Sequence, residues 1–118
     1  MGWFPRVALV IGMVGANVEH ASADRLVALG RHLAQECTTC HRPDGINNGI
    51  PSIVGLDPAY LTEALKMFRT GKRTNPTMVS IAQSLDDEQM EALARYFATL
   101  AKPEGSVAAE KRGRSEKR

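Results

Sequence analysis

Three residues able to do chemistry lie within five positions of the sequence, in the stretch Cys37-Thr38-Thr39-Cys40-His41. Two thiols three positions apart can reach the two vinyl groups on one edge of a porphyrin and form thioether bonds, and the adjacent histidine can bind the iron. The spacing is required because the thiols must meet two fixed carbon atoms while the imidazole lies over the centre of the ring. The stretch therefore predicts a covalently attached haem.

Three other kinds of site use the same residue types. A dithiol redox motif usually opens a helix in a βαβ unit, whereas this pair follows a predicted helix and no strand pattern is present. A zinc site would need two more ligands, and beyond residue 23 the chain offers only His32 besides. A structural disulfide in an oxidising compartment stays open. Haem is favoured because the whole pentapeptide rarely occurs by chance.

The first 23 residues are typical of a secretory signal peptide. Arg6 provides the positive start, residues 7–16 are apolar, and Ala21-Ser22-Ala23 has the small-x-small pattern of a cleavage site. A membrane anchor is the alternative, but about 20 apolar residues are needed to span a bilayer, and this run ends at Asn17. We expect cleavage after Ala23 and export to a bacterial periplasm or beyond the cell.

Composition limits what the remaining residues can be. The chain has 118 residues, which favours one domain, and its net charge of +2 and two cysteines exclude a general nucleic-acid binder and a disulfide-rich scaffold. Residues 103–118 hold five basic and three acidic side chains with few apolar ones, so a disordered charged tail is predicted. Residues 24–102 form the predicted domain, and haem is expected to fill its core because few aromatic residues remain.

The elements that must position the site are predicted to be helices and long loops. Leucines at helical spacing predict a first helix over residues 25–36, with Asp24 as its N-cap. Residues 42–57 are rich in glycine, proline and asparagine, so they are predicted to form a loop. The Cys-His stretch would then lie at the junction between this helix and this loop.

Two further helices have clear end signals. In one, Asp57 is the N-cap, Pro58 the first helical residue and Gly71 the stop. In the other, Asp86 with Gln89 resembles a capping box. The apolar stripes are Leu61, Leu65 and Phe68 in the first of these helices, and Leu85, Met90, Leu93, Phe97 and Leu100 in the second. With no strand pattern, the predicted fold is all-α.

Residues 25–100 resemble the class I cytochromes c. Gly30-Arg31-His32-Leu33-Ala34 is similar to the first helix of small bacterial members, and Leu93-Ala94-Arg95-Tyr96-Phe97 to the last helix, which crosses the first. Pro51-Ser52-Ile53-Val54-Gly55-Leu56 resembles the segment on the histidine side of the haem, and Met78 stands where the family has its second axial ligand. The resemblance implies three to five helices wrapped around one covalently attached haem c.

The second iron ligand must come from elsewhere because His41 occupies only one face of the haem. The candidates beyond the leader are Met67, Met78 and Met90. Packing within helices explains Met67 and Met90, whereas Met78 is predicted to lie in a connection between two helices, from which its thioether can reach the iron. Met78 is therefore favoured over His32 or an open position.

The resemblance also implies residues that support the haem and the fold. The carbonyl oxygen of Pro51 is expected to accept the Nδ1 proton of His41 and so fix the ring, although a simple turn proline is the alternative. Thr77 is expected to bond a haem propionate or to orient the methionine loop. Gly30 against Tyr96 would let the first and last helices cross closely.

A haem closed by histidine and methionine suits electron transfer and argues against catalysis at the iron. The first hypothesis is a periplasmic single-haem carrier, not an enzyme, that takes electrons from a donor such as a flavoprotein dehydrogenase and passes them to another cytochrome or a terminal oxidase. The second is the haem subunit of a flavocytochrome sulfide dehydrogenase, because residues 49–53 and 75–78 look similar to those subunits. The third is a ligand-binding haem protein, which requires that Met78 not bind iron.

Four cations near the end of the second predicted helix form a local basic cluster. They complement the negative end of the helix dipole, or they form a docking surface for an acidic redox partner. The cluster consists of Lys66, Arg69, Lys72 and Arg73.

Overall fold

The computed structural model describes Gly2 and residues 16–100, which form four helices: α1 (Ala16–Cys37), α2 (Pro58–Arg69), α3 (Pro76–Gln83) and α4 (Asp87–Thr99). No strand occurs among these residues, so the all-α prediction is confirmed. Most of the predicted leader and the whole predicted tail lie outside the described residues. Within the described part, none of the helices combines the length and apolarity needed to span a membrane.

The predicted ends of α2 and α4 are confirmed by their hydrogen bonds. The Asp57 carboxylate accepts the backbone N–H of Tyr60 at 2.9 Å, and Pro58 occupies the first helical position. Asp86 accepts the N–H of Gln89 at 2.8 Å, while the Gln89 side chain accepts the N–H of Asp86 at 3.0 Å. This reciprocal capping satisfies two N–H groups that a helix start leaves without partners.

The predicted secondary structure is wrong in two places. The first helix begins at Ala16 rather than at residue 25, so Asp24 lies within it and caps nothing; residues 16–23 contain three alanines and no glycine or proline, so nothing stops the helix there. The connection after Gly71 also contains a helix that was not predicted, α3. The Asn75 side chain accepts the N–H of Met78 at 3.0 Å and Pro76 follows it, which starts α3 as Asp57 and its proline start α2.

The core is built where α1 crosses α4. A methyl group added at Gly30 would lie 2.0 Å from the carbonyl oxygen of Ala92 and 2.8 Å from the Cβ of Tyr96, so only glycine permits this approach. The predicted close crossing is confirmed, and the closest neighbour is backbone rather than the tyrosine. Around it lies a buried apolar cluster, called the core cluster below, of Ala34, Leu61, Leu65, Ala82, Met90, Leu93, Ala94 and Phe97.

Candidate haem site

The Cys-His stretch forms the turn that ends α1. Cys37 is the last residue of the helix, and its carbonyl oxygen accepts the N–H of Cys40 at 3.2 Å and of His41 at 2.8 Å. The hydroxyl groups of the two intervening threonines donate to carbonyl oxygens in the last turn of α1. Helix and turn therefore hold both cysteines and the histidine in one hydrogen-bonded unit.

The two thiols have different surroundings. Cys37 is half-buried and packs against the core cluster, and burial raises the pKa of its thiol to about 11. Cys40 is exposed. Among the residues that the structure describes, no three His, Cys, Asp or Glu side chains come together in a group that could hold a metal ion.

His41 is half-buried, and its Nδ1 lies 2.7 Å from the carbonyl oxygen of Pro51. This is the pair of atoms that the family resemblance implied. A carbonyl oxygen can only accept, so the proton of a neutral ring must be on Nδ1. The other ring nitrogen, Nε2, then has a free lone pair, which is the form of histidine that binds a metal ion.

The segment that carries Pro51 is attached to α4. Val54 is fully buried, and the N–H of Gly55 donates to the carbonyl oxygen of Phe97 at 2.9 Å. These two anchors fix the backbone three and four residues beyond Pro51. The loop over residues 42–57, confirmed as non-helical, thereby gains a defined position beside His41.

The start of the same loop has its own ion pair. Arg42 donates to the carboxylate of Asp44, which also accepts the N–H of Ile46 at 3.0 Å. The hydrogen bond from the guanidinium lowers the pKa of Asp44 to about 2. Asp44 is therefore ionised at neutral pH and closes a tight turn directly after His41.

Two of the three candidate methionines differ from their predicted settings. Met78 is in the first turn of α3 rather than in a loop, because Asn75 and Pro76 start a helix there. It is half-buried and packs against the core cluster. Met90 is 0% exposed within that cluster, as predicted. Met67 is only half-buried, so the packing assigned to it from the sequence is incomplete.

Among the described residues, nine apolar side chains touch the core cluster and yet stay partly exposed, which suits contact with a flat apolar ring. Five of them lie between residues 37 and 78, the stretch that contains the predicted haem residues, and form the apolar group considered below: Cys37, Ile53, Leu56, Phe68 and Met78. Together with two thiols and a histidine nitrogen, they fit a haem. The cleft of about 440 Å³ between α1 and α4 is a different place, since its lining holds no residue of the predicted site and consists of Ser22, Arg25, Leu26, Leu29, Glu88 and Glu91.

Other predicted residues are not joined to this group. Thr77 is exposed and its side chain makes no hydrogen bond within the described residues, and His32 is exposed on α1. The sequence interpretation missed Asn75, which orients the first turn of α3, although Asn-Pro repeats the cap signal of Asp57. It also missed Val54, whose burial no local pattern indicates.

Comparisons with known proteins show which family the chain resembles. Residues 24–97 match the protein-family model described as "Cytochrome C oxidase, cbb3-type, subunit III". The "Thiosulfate dehydrogenase electron acceptor" of Stutzerimonas stutzeri is 38% identical over 74 residues, which are 60% of this chain and 34% of that protein. The "Cytochrome subunit of sulfide dehydrogenase" of Chlorobaculum tepidum is 38% identical over 74 residues, 62% of this chain and 67% of that protein.

A smaller relative is covered almost entirely. "Cytochrome c-553" of Helicobacter pylori is 34% identical over 84 residues, which are 68% of this chain and 88% of that protein. By contrast, the chain spans only about a third of the length of the thiosulfate dehydrogenase electron acceptors that it matches, 34% of one and 36% of another. The similarity is thus to a cytochrome domain that occurs in proteins of different lengths.

Proposed function

Since this chain belongs to the class I c-type cytochromes, we propose that it is a single-haem electron carrier with His41 and Met78 as the axial ligands of its iron. Proteins of this family carry electrons rather than catalyse a reaction, and their haem c is covalently bound. The observation that carries the ligand proposal is the 2.7 Å contact of His41 Nδ1 with the Pro51 carbonyl oxygen, because it leaves Nε2 free to bind iron.

Cys37 and Cys40 are the residues that would form the two thioethers. They are the only cysteines in the sequence, and they lie on the same turn as His41. Cys37 contacts the core cluster from the end of α1 while Cys40 is exposed, so attachment there would bring one edge of the ring against the core. Pro51 would hold the imidazole plane, and Thr77 remains a proposed contact to a propionate.

Met78 is the methionine we assign to the iron. Because Met78 lies in a helix, the flexibility of a loop no longer supports this assignment. The capped start of the helix supports it instead. The Asn75 cap fixes the first turn of α3, so the thioether extends from a backbone held in a defined position. Met90 is unsuitable because the core cluster encloses it completely.

A histidine and a methionine together support electron transfer. When bound, haem iron takes up and releases one electron, and a thioether ligand raises its reduction potential. His41 and Met78 would occupy both faces of the iron, which leaves no position for oxygen or peroxide. The backbone that carries each side chain is held by a hydrogen-bonded turn, so little rearrangement of the polypeptide is expected on a change of charge at the site.

We also propose that residues 1–23 are a leader and that the protein works in the periplasm. The family match begins at residue 24, directly after the proposed cleavage site at Ala23. Residues 103–118 are then a charged tail beyond the cytochrome domain. The N-terminal residue of the exported protein, read by sequencing, should be Asp24; an N-terminus at Met1 in the exported protein would overturn the leader.

The ferric absorption spectrum of the exported protein tests the ligand proposal. We expect a low-spin spectrum with a weak sulfur-to-iron band, and no change on adding carbon monoxide after reduction. The haem should stay with the polypeptide after acid extraction, because the thioethers are covalent. A high-spin ferric spectrum, or immediate binding of carbon monoxide, would support a ligand-binding haem protein with an open sixth position instead.

A second candidate function is the electron-accepting subunit of a larger complex. Two relatives favour it by name, the sulfide dehydrogenase cytochrome subunit and the thiosulfate dehydrogenase electron acceptor. The donor would then be a partner dehydrogenase, a flavoprotein in the sulfide case. Purification of the exported protein at low salt separates the two functions. A carrier should elute alone, whereas a subunit should elute with a stoichiometric partner that reduces its haem.

A further inference from the structure

The basic cluster at the end of α2 is divided into two parts by its contacts. Arg69 forms an ion pair with Asp87 at 2.7 Å and donates to the carbonyl oxygen of Leu85 at 3.5 Å, and Lys66 lies 4.0 Å from the same aspartate. These two cations therefore have a counter-charge and join α2 to the start of α4. Lys72 and Arg73 have no carboxylate partner within the described residues.

Arg73 is the unusual member of this second pair because it is half-buried while Lys72 is exposed. Its guanidinium carbon lies 5.4 Å from the centre of the Phe68 ring, and one of its terminal nitrogens lies 3.5 Å from the hydroxyl of Tyr60. Its backbone N–H donates to the carbonyl oxygen of Met67 at 3.1 Å. The side chain therefore lies along α2. A partly buried cation without a counter-charge is unfavourable.

The surroundings of Arg73 indicate which anion it meets. Phe68, over which the guanidinium lies, belongs to the apolar group that fits the haem, together with Met78. A haem carries two propionate carboxylates on the ring edge opposite its thioethers. A guanidinium presents paired N–H donors in the geometry that a carboxylate accepts. Aromatic contact would hold that fork in place before the anion arrives.

We infer that Arg73 donates to a haem propionate and is a cofactor-binding residue of this protein. This inference rests on the proposed function, because it requires the haem to be bound beside Phe68 and Met78. It gives Arg73 a role that neither the dipole nor the docking interpretation of the basic cluster assigned to it. It also explains why the described residues provide no acidic partner for the half-buried Arg73.

The reduction potential of the loaded protein provides the test. A propionate that keeps its full negative charge stabilises ferric iron, and a cation beside it offsets that effect, so Arg73→Gln should lower the potential. Lys72→Gln is the matched control. It removes the same charge from the neighbouring residue, whose side chain is exposed. We expect no comparable fall in that control. Arg73→Lys, which keeps the charge, should recover most of the loss.

Three outcomes overturn the inference, and they differ from a failure of the proposed function. If Arg73→Gln and Lys72→Gln have equal potentials, Arg73 is not beside the haem. If neither changes the potential but Arg73→Gln slows reduction by a partner in a salt-dependent manner, the carboxylate belongs to the partner. If Arg73→Lys has the same reduction potential as Arg73→Gln, the positive charge at position 73 does not affect the haem. A wild-type protein without the sulfur-to-iron band would instead show that the ligand proposal has failed.

Discussion

Where α1 crosses α4, the polypeptide fills its own interior: the Gly30 backbone approaches Ala92 so closely that one added methyl group would collide, and Met90 is 0% exposed. In the stretch from Cys37 to Met78, several apolar side chains touch the core and yet stay partly exposed, and Tyr60 and Ile46 are 54% and 52% exposed. The first region is complete as protein. The second is complete only with a group that the polypeptide does not supply, and the protein's function depends on that group.

The largest effect should follow from preventing haem attachment. Cys37→Ala together with Cys40→Ala removes both thioether positions, and the half-covered apolar group then has no ring to pack against. We expect a largely unfolded, protease-sensitive chain, because a domain this small has little core to spare. Circular dichroism and limited proteolysis of the exported double variant measure it. A cooperative, fully helical apoprotein would show that the crossing of α1 and α4 alone sustains the fold.

A methyl group at the crossing should cost less but still be severe. Gly30→Ala places its Cβ 2.0 Å from a backbone oxygen that cannot move aside, so overpacking should destabilise the fold by about 3 kcal/mol. Chemical denaturation followed by haem absorbance gives the value. The sulfur-to-iron band of the folded fraction should be unchanged, since the crossing contains no iron ligand.

Gly71→Ala is the matched control for that substitution. Gly71 has a φ of +76° and nothing within 4 Å of an added methyl group, so only backbone strain of about 1 kcal/mol is expected. Equal losses in the two glycine variants would mean that α1 and α4 do not approach as closely as the structure shows.

The smallest effect concerns Asp87, which joins the start of α4 to α2. Its hydrogen bond and ion pair with Arg69, with Lys66 beyond, lower its pKa in the folded state. Because the pKa of Asp87 is lower in the folded state, its ionised carboxylate stabilises the fold at pH values above the unfolded-state pKa of about 4. This stabilisation is lost as the pH falls through the folded-state pKa. Asp87→Asn should therefore reduce the thermal midpoint at pH 7 and make no difference in strong acid.

Glu88→Gln controls for the helix dipole, since Glu88 lies in the same first turn of α4 and forms no ion pair in the described part of the chain. If its midpoint falls as far as that of Asp87→Asn at neutral pH, the dipole rather than the Arg69 pair accounts for the effect. A difference that persists unchanged at low pH would contradict the role of the Asp87 carboxylate.

Much of the fold could be predicted because its signals are local. The caps at Asp57 and Asp86 are read from residues three positions apart, and the structure contains both bonds. α3 is not predicted although Asn75 and Pro76 carry a similar signal, because a helix of eight residues has too short an apolar pattern. The predicted start of α1 is too late because Asp24 is a typical N-cap residue, although the helix continues through it from Ala16.

The site was less predictable because its contacts join distant parts of the chain. The pentapeptide is contiguous, so its chemistry is apparent from the sequence alone. The division of the basic cluster is not apparent from the sequence, since Asp87 lies 18 positions beyond Arg69. Only the packing of α2 on α4 brings the guanidinium of Arg69 to 2.7 Å from the Asp87 carboxylate. The same holds for the bond from Gly55 to Phe97, which fixes the segment beside His41.

The ferric spectrum of Met78→Ala, compared with Met67→Ala, tests the central claim most directly. Both methionines are half-buried residues on helices, and only Met78 is proposed to bind the iron. Met78→Ala should keep its covalent haem, lose the sulfur-to-iron band, have a lower reduction potential and bind carbon monoxide when reduced. Met67→Ala should keep the band. A band that survives in Met78→Ala and disappears in Met67→Ala would contradict the proposed ligand and the closed electron carrier built on it.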